Sequence, residues 1–217
     1  GILGPGGIAN TFADAVHGRA SVRRYGPDPV PRDDVEAMVG IAVRAANAGN
    51  AQTWRFVAVE DEGLRSAMRG AVEQALDDMA AWPEAEGLEK ELKAYRAYAT
   101  FFAQAPVVMA VLGGVYHSFA DDLHECRGLP REERDRRRQR PDLQSLGGAI
   151  QLLCTAAHAM GYGACWMTAP VLAAPAIERL LGIDPRWRLV AVVPIGRPLV
   201  PPRPSQRLPV SDVLEFR

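Results

Sequence analysis

The stretch DLQSLGGAIQLLCTAAHAMGYG, residues 142–163, limits the fold more than any other. Its apolar and small residues run round nearly every side of a helix instead of forming one stripe. Such a helix has no side to give to water. It belongs at the centre of a layered domain or against a second subunit. Gly147, Gly148, Ala149, Ala156 and Ala157 are small enough to let another helix approach closely.

Two shorter apolar runs, VVMAVLGG (107–114) and RLVAVVPIG (188–196), read as strands buried on both faces. WRFVAVED (54–61) reads as a third strand. Helical spacing predicts a short helix over 10–17 and another from Arg32 to Ala46, stopped near Gly49. Further helices are predicted over 62–80, 86–104 and 172–182, the second with Leu88, Leu92, Tyr95, Ala99 and Phe102 on one face. The elements follow no steady βαβ rhythm, which predicts an α+β layer fold instead of a doubly wound sheet. At 217 residues and 48% hydrophobic, without repeats, the chain suits one domain, with residues 1–9 as a flexible lead. The tail PPRPSQRLPVSDVLEFR is Pro-rich and then apolar, and is expected to lie along another surface, its own or a partner's.

Charge and cysteine usage exclude several classes. A net charge of -1 gives no reason to expect nucleic acid or an acidic membrane as a partner. No apolar run has the length of a membrane span, and GILGPGGIAN lacks the features of a signal peptide. Cys126, Cys154 and Cys165 form no CxxC, so reduced thiols and a cytoplasmic location are expected. His117, His124 and Cys126 lie close together without a recognised ligand spacing, so no metal is expected. His17 carries no motif, and His158 is expected to be a hydrogen-bonded core residue. GPGGIA (4–9) matches G-x-G-x-x-A, but no strand precedes it and a flexible terminus is the better reading. RGLPREERDRRRQR (127–140) has seven Arg against three acidic residues. Asp121, Asp122 and Glu125 bring 117–141 close to neutral, so a solvated, self-paired excursion is expected. It interleaves no aromatics, unlike a nucleic-acid surface.

The chemistry is concentrated in GRASVRRYGPDPVP (18–31). Arg19, Ser21 and Arg23 alternate, and an extended backbone points all three to one side. Guanidiniums grip phosphate bidentately and a hydroxyl adds a directed donor. RPSQR (203–207) supplies more Arg from far along the chain. Spacing alone also fits a solvated charged face. Tyr95, Tyr98, Phe101 and Phe102 occupy more than one helical face, so they line a pocket or pack in the core.

Four separated blocks make the chain resemble the FMN-dependent nitroreductases over roughly Arg19 to Phe216. RASVRRY is similar to the family's R-x-S-x-[RK]-x-[FY], which implies that Arg19 and Ser21 hold the FMN phosphate and ribityl chain and that Arg23 sits near the pyrimidine. ANAGNAQTWRFVAV resembles P-S-x-x-N-x-Q-P-W-x-F, with Asn47 for Ser and Thr53 for Pro. It implies flavin or pocket contacts for Asn47, Asn50 and Gln52. LQSLGGAIQLLCTAAHAMGYGACWMTAP is similar to the family's interface helix followed by G-x-G-x-C-W-M, with Leu152 for a common Asn. It implies that the backbone of Trp166, Met167 and Thr168 passes flavin N5 and O4. VVPIGRP with QRLPVSDVLEF makes Arg207 the C-terminal phosphate ligand, with Ser205 where a Lys is frequent and Arg203 able to compensate.

The resemblance implies a nitroreductase-like α+β fold, a mixed, mostly antiparallel sheet flanked by helices, and an intertwined homodimer with two FMN sites built from both chains. It also implies hydride transfer from NADH or NADPH through flavin N5 to a nitroaromatic or quinone, by a ping-pong scheme. FMN carries the chemistry, Arg23 and the Thr168 backbone tune it, and no protein acid or base is expected. Tyr95, Tyr98 and Phe102 are the candidate pocket wall. The rivals are a flavin-dependent dehydrogenase or oxidase on the same fold, reductive dehalogenation, flavin cleavage, and a non-catalytic flavin-binding module. Residues 73–104 carry no deiodinase-type lid signature.

Overall fold

The structure, a computed structural model, describes residues 12–217. The lead at 1–9, with GPGGIA, lies outside the described residues. The chain forms α1 (Phe12–Gly18), α2 (Arg32–Ala42), β1 (Trp54–Val59), α3 (Glu62–Ala80), α4 (Glu89–Thr100) and β2 (Val107–Gly113). It continues with α5 (Phe119–Cys126), α6 (Arg131–Arg138), α7 (Pro141–Ala159), β3 (Gly163–Ala164), α8 (Ala174–Leu180) and β4 (Arg188–Gly196). The strands form one sheet in the order β1-β2-β4-β3. Its ladders are antiparallel, and a parallel contact occurs as an isolated bridge between Ser21 and Ala164.

The period of two along β2 divides the core. Val107, Met109 and Val111 face α2 and α7, joined there by Met38, Ile150 and Leu153. Val108, Ala110 and Leu112 face α3 and α8, joined by Met68, Val72, Leu76 and Ile177. Every residue of β2 is buried, as its continuous apolar run predicts. In β4 the alternation slips once: Val111 pairs with Ala191 but Leu112 pairs with Leu189, leaving Val190 as a bulge. Helices on both faces of a four-stranded antiparallel sheet make an α+β fold.

Several boundaries differ from the sequence reading. The apolar helix stops at Ala159, because Gly161 takes φ 81° and Tyr162 N–H donates back to Ala157 O at 2.8 Å. This Schellman-type ending turns residues 163–164 into β3. Nor is α7 covered all round: Gln144, Gly148 and Gln151 are exposed, and Leu152 and Thr155 are half-buried. The helix predicted over 86–104 ends at Thr100 and tightens into a 3₁₀ turn, Phe101–Gln104. The excursion at 117–141 contains two short helices, α5 and α6. Ser118 and Asp121 form a capping box that starts α5. Arg134 pairs with Glu125, Arg137 with Glu133 at 2.6 Å, and Arg138 with Asp121 at 3.2 Å. His117 pairs with Asp122 at 2.6 Å, which raises its pKa. Among the described residues no cluster of three His, Cys, Asp or Glu is placed to hold a metal ion.

Candidate functional site

Residues 19–25 run as an added edge along β3. Val22 N–H donates to Ala164 O at 3.0 Å, and the Val22 side chain is buried while Ser21 and Arg23 stay exposed. The close approach depends on Gly163: a Cβ there would lie 2.6–2.7 Å from Val22 Cβ, Cγ1 and Cγ2. Tyr25 is buried and locks the end of the segment. Its hydroxyl donates to Val22 O, and its backbone bridges Pro198. Gly26 N–H reaches Arg197 O at 2.8 Å, and Leu199 N–H reaches Arg24 O at 3.1 Å.

These bonds bring the two ends of the chain together. Ser21, Arg23 and Arg24 face Val200, Pro201, Pro202 and Arg203 across a groove of about 570 Å³. The strip also faces one buried thiol. Burial pushes the Cys165 pKa up, while Arg23, a Ser21 hydrogen bond and Arg19 pull it down. Ser21 and Arg23 both line the groove, and Arg19, on the same segment, is outside its lining. Among the described residues Arg19, Arg23, Arg24 and Arg203 have no carboxylate partner, in contrast to the paired Arg134, Arg137, Arg138 and Arg140. Unneutralised guanidiniums beside a hydroxyl fit a phosphate. The groove takes Arg203 from the tail, not Arg207. Arg207 is exposed and bonds only to the carbonyls of Ser205 and Gln206, at 3.1 and 3.2 Å.

The second block forms a tight turn at the other end of α7. Gly49, Asn50 and Gln52 all take positive φ, 58°, 51° and 49°, a costly conformation for the two non-glycine residues and one that clusters at binding sites. Asn47 holds the turn: its side-chain oxygen accepts Gln52 N–H at 2.9 Å, and its amide donates to Ala45 O at 3.3 Å. Both ends of the Asn47 carboxamide are thus engaged within the loop, which leaves Asn50 and Gln52 as the exposed members. The Ser145 hydroxyl ties the turn to α7 by accepting Ala48 N–H at 3.2 Å. Arg19 lies instead beside Cys154 and His158, whose pKa values it lowers. Ser145 and His158 are about 20 Å apart along the helix axis.

In the third block the chain alternates again. Met167 is fully buried, and its N–H and C=O both pair with Val192, at 3.0 and 2.9 Å. Its amide is therefore spent on the sheet and cannot serve flavin N5. The Thr168 amide has no acceptor among the described residues, and Thr168 is exposed at the start of the 3₁₀ turn Ala169–Ala173. Trp166 is 40% exposed, its ring lying over Gly147, where a Cβ would touch it at 3.4 Å.

The aromatic set divides. Tyr95 and Tyr98 are exposed on α4, with ring centroids 6.3 Å apart, and Tyr98 meets Phe101 edge-on at 6.1 Å. Phe102 is fully buried against the sheet and belongs to the core, not to a pocket wall. Motif reading missed the Tyr25–Pro198 bridge and Tyr116, and it gave Gly163 no role. Only the density of Pro around 198–204 hinted at a held tail.

His158 is 7% exposed, with its ring against Gly18. Burial and then Arg19 hold its pKa below the ordinary 6.5. The unfolded chain therefore binds a proton that the fold refuses. The stability contribution is full above pH ~6.5 and falls as pH drops towards the folded pKa. In urea melts between pH 7.5 and 5, His158→Gln is expected to lose less stability than the parent. Parallel curves would refute the assignment.

Among the described residues no helix is long and apolar enough to cross a membrane. The model of the Nitroreductase family matches residues 16–197. A 5,6-dimethylbenzimidazole synthase of Rhodobacter capsulatus is 30% identical over 193 residues, covering 87% of this chain and 84% of that protein. A BluB-like flavoprotein from Clostridium difficile 630 superposes with a TM-score of 0.87 at 25% identity, covering 96% of this chain and 100% of that one. Iodotyrosine deiodinase bound to FMN and 3-iodo-L-tyrosine superposes with a TM-score of 0.67 at 21% identity, covering 95% and 98%. With most of its length matched in sequence and its sheet and helices arranged alike, the chain belongs to the nitroreductase family.

Proposed function

We propose that this protein is an FMN-dependent oxidoreductase that takes hydride from NADH or NADPH and passes it to a small nitroaromatic or quinone. The observation that carries the reading is the segment of Arg19, Ser21 and Arg23, without a carboxylate partner among the described residues, of which Ser21 and Arg23 face Arg203 across the groove. Its charge and donor pattern suit the phosphate of FMN. Bound FMN would supply the hydride chemistry. Arg19 and Ser21 would hold the phosphate end, and Arg23 would offset negative charge on the reduced ring. The Thr168 amide is the free donor for a ring atom, and Trp166 offers a flat apolar surface beside it. Tyr95 and Tyr98 would border the acceptor.

The Asn47–Gln52 turn and the Arg19 strip sit at opposite ends of α7. A second copy lying antiparallel along the open stripe of α7 would bring one chain's turn to the other's strip. The apolar tail, with Leu208, Val210, Val213, Leu214 and Phe216 all exposed, fits such a partner. A homodimer is therefore part of this reading, and a solution mass of one 23.5 kDa chain would remove it.

The 5,6-dimethylbenzimidazole synthase relatives favour a second reading, in which the flavin meets dioxygen or is itself cleaved at the same site. Stopped-flow absorbance separates the two. Purified protein is expected to be yellow and to bleach rapidly with NADH or NADPH under nitrogen, then recover on adding a nitroaromatic or quinone. Failure to bleach with either nucleotide would favour the second reading. Protein that stays colourless when given FMN would defeat both.

A further inference from the structure

A cavity of about 260 Å³ opens at the N-terminal end of α7, enclosed by α5, α6 and Tyr116. Four arginines and four carboxylates line it, so its charges balance. Its hydrogen-bonding groups do not. Asp121 accepts from the Ser118 amide at 2.8 Å, the Ser118 hydroxyl at 2.7 Å and Arg138 Nε at 3.2 Å. Asp142 accepts twice from Arg140, at 3.0 and 2.7 Å. These two carboxylates are the least exposed of the ion-paired lining acids, at 17% and 14% of their side chains, and they are largely spent.

The guanidiniums are not. Arg138 gives only Nε to Asp121, and Arg134 gives one terminal nitrogen to Glu125. Arg134 Nε is buried without a partner. A guanidinium carries five N–H donors, so each of these keeps several unused. The Tyr116 hydroxyl adds another. The Arg138 guanidinium lies over the Tyr116 ring at 6.0 Å. Glu125 and Asp135, more exposed at 53% and 43%, keep acceptor capacity, but the unused guanidinium donors outnumber it, and a surplus of charged donors selects an oxyanion.

We propose that this cavity holds the carboxylate or phosphate group of a small organic ligand, and that this ligand is an anionic acceptor. The second half rests on the reductase reading. Two observations support it. The cavity is smaller than the roughly 300 Å³ of a whole ligand site, so it takes one end of a molecule. It also adjoins the Gly49 turn: a Cβ at Gly49 would lie 3.1 Å from the Tyr116 hydroxyl oxygen. The other end of the ligand then lies towards Asn50 and Gln52.

The test is calorimetric titration of the FMN-loaded protein with 4-nitrobenzoate, benzoate, nitrobenzene and inorganic phosphate. The two benzoates are expected to bind about tenfold or more tighter than nitrobenzene, as charge-assisted hydrogen bonds warrant. Arg134→Gln and Arg138→Gln should each lose about that factor, with flavin content unchanged. Arg138→Lys keeps the charge but not the fork and should lose a similar amount, and Tyr116→Phe, which leaves every ion pair intact, should lose a few-fold. The latter two keep the test open if the Gln variants fail to fold. Displacement of benzoate by phosphate would support the site with a phosphate ligand, and its absence would support the site with a carboxylate. Equal binding of charged and neutral compounds, or variants that bind benzoate like the parent, would overturn the proposal. If benzoate binds as expected but no nitro compound is reduced with either nucleotide, the reductase reading fails and the anion site stands.

Discussion

Arg19→Ala is expected to yield a folded protein that loses its flavin on purification and needs about 10- to 100-fold more FMN for half-saturation. The size follows from removing one charged partner of a phosphate while the rest of the strip remains. The fold is expected to survive because Arg19 has no carboxylate partner among the described residues, so its loss strands no buried charge. Its field acts on Cys154 and His158, lowering both pKa values. Burial still holds the Cys154 thiol at about 12 in the parent, and the variant moves it further up. Fluorescence titration with FMN checks the affinity, and the thermal transition checks the fold. A variant that keeps a full complement of flavin would end the phosphate assignment.

Gly163→Ala is expected to cost about 3 kcal/mol of stability, roughly a 6–12 °C fall in Tm, and to weaken FMN binding as well. The added methyl would sit 2.6 Å from both Val22 Cβ and Cγ2. Those atoms are a short β-branched side chain, not the free end of a flexible one, so relief requires the edge segment to move. That segment carries Ser21 and Arg23. The steric origin has its own check: Val22→Ala in the Gly163→Ala background should recover part of both losses, because the two sites couple directly. Independent, additive effects in that cycle would show that the damage lies elsewhere. Calorimetry and FMN titration of the four proteins decide it.

Much of the scaffold is legible residue by residue. The continuous apolar runs became β2 and β4, because a strand covered on both faces tolerates no polar position. Helix α3 matched its predicted span of 62–80, with Asp61 accepting Leu64 N–H at 2.6 Å as its cap. The alternation of Arg19, Ser21 and Arg23 is visible because alternation in an extended segment is a local property. The two helices of the excursion are not legible in the sequence because they are short, polar and held by ion pairs, and they carry no apolar period.

The candidate site was legible as residue types and only partly as geometry. Phe102 and Tyr98 lie on one aromatic stretch, yet one is buried in the core and the other exposed. The difference comes from the change to a 3₁₀ turn after Thr100, which rotates the following side chains towards the sheet. Met167 stood in a flavin motif, but its amide is spent on Val192, a partner 25 residues away in sequence.

By itself the sequence determined most of the strands and helices, the alternation of Arg19, Ser21 and Arg23, and the long apolar helix. Each follows from period, propensity and side-chain chemistry within a few residues. Only the tertiary structure decided that Arg203 lines the groove beside Ser21 and Arg23, that Gly163 is the seat of Val22, and that Tyr116 backs the Gly49 turn. Those are pairings between distant segments, set by strand register and by which atoms fill the same space, and no local window of the chain contains them.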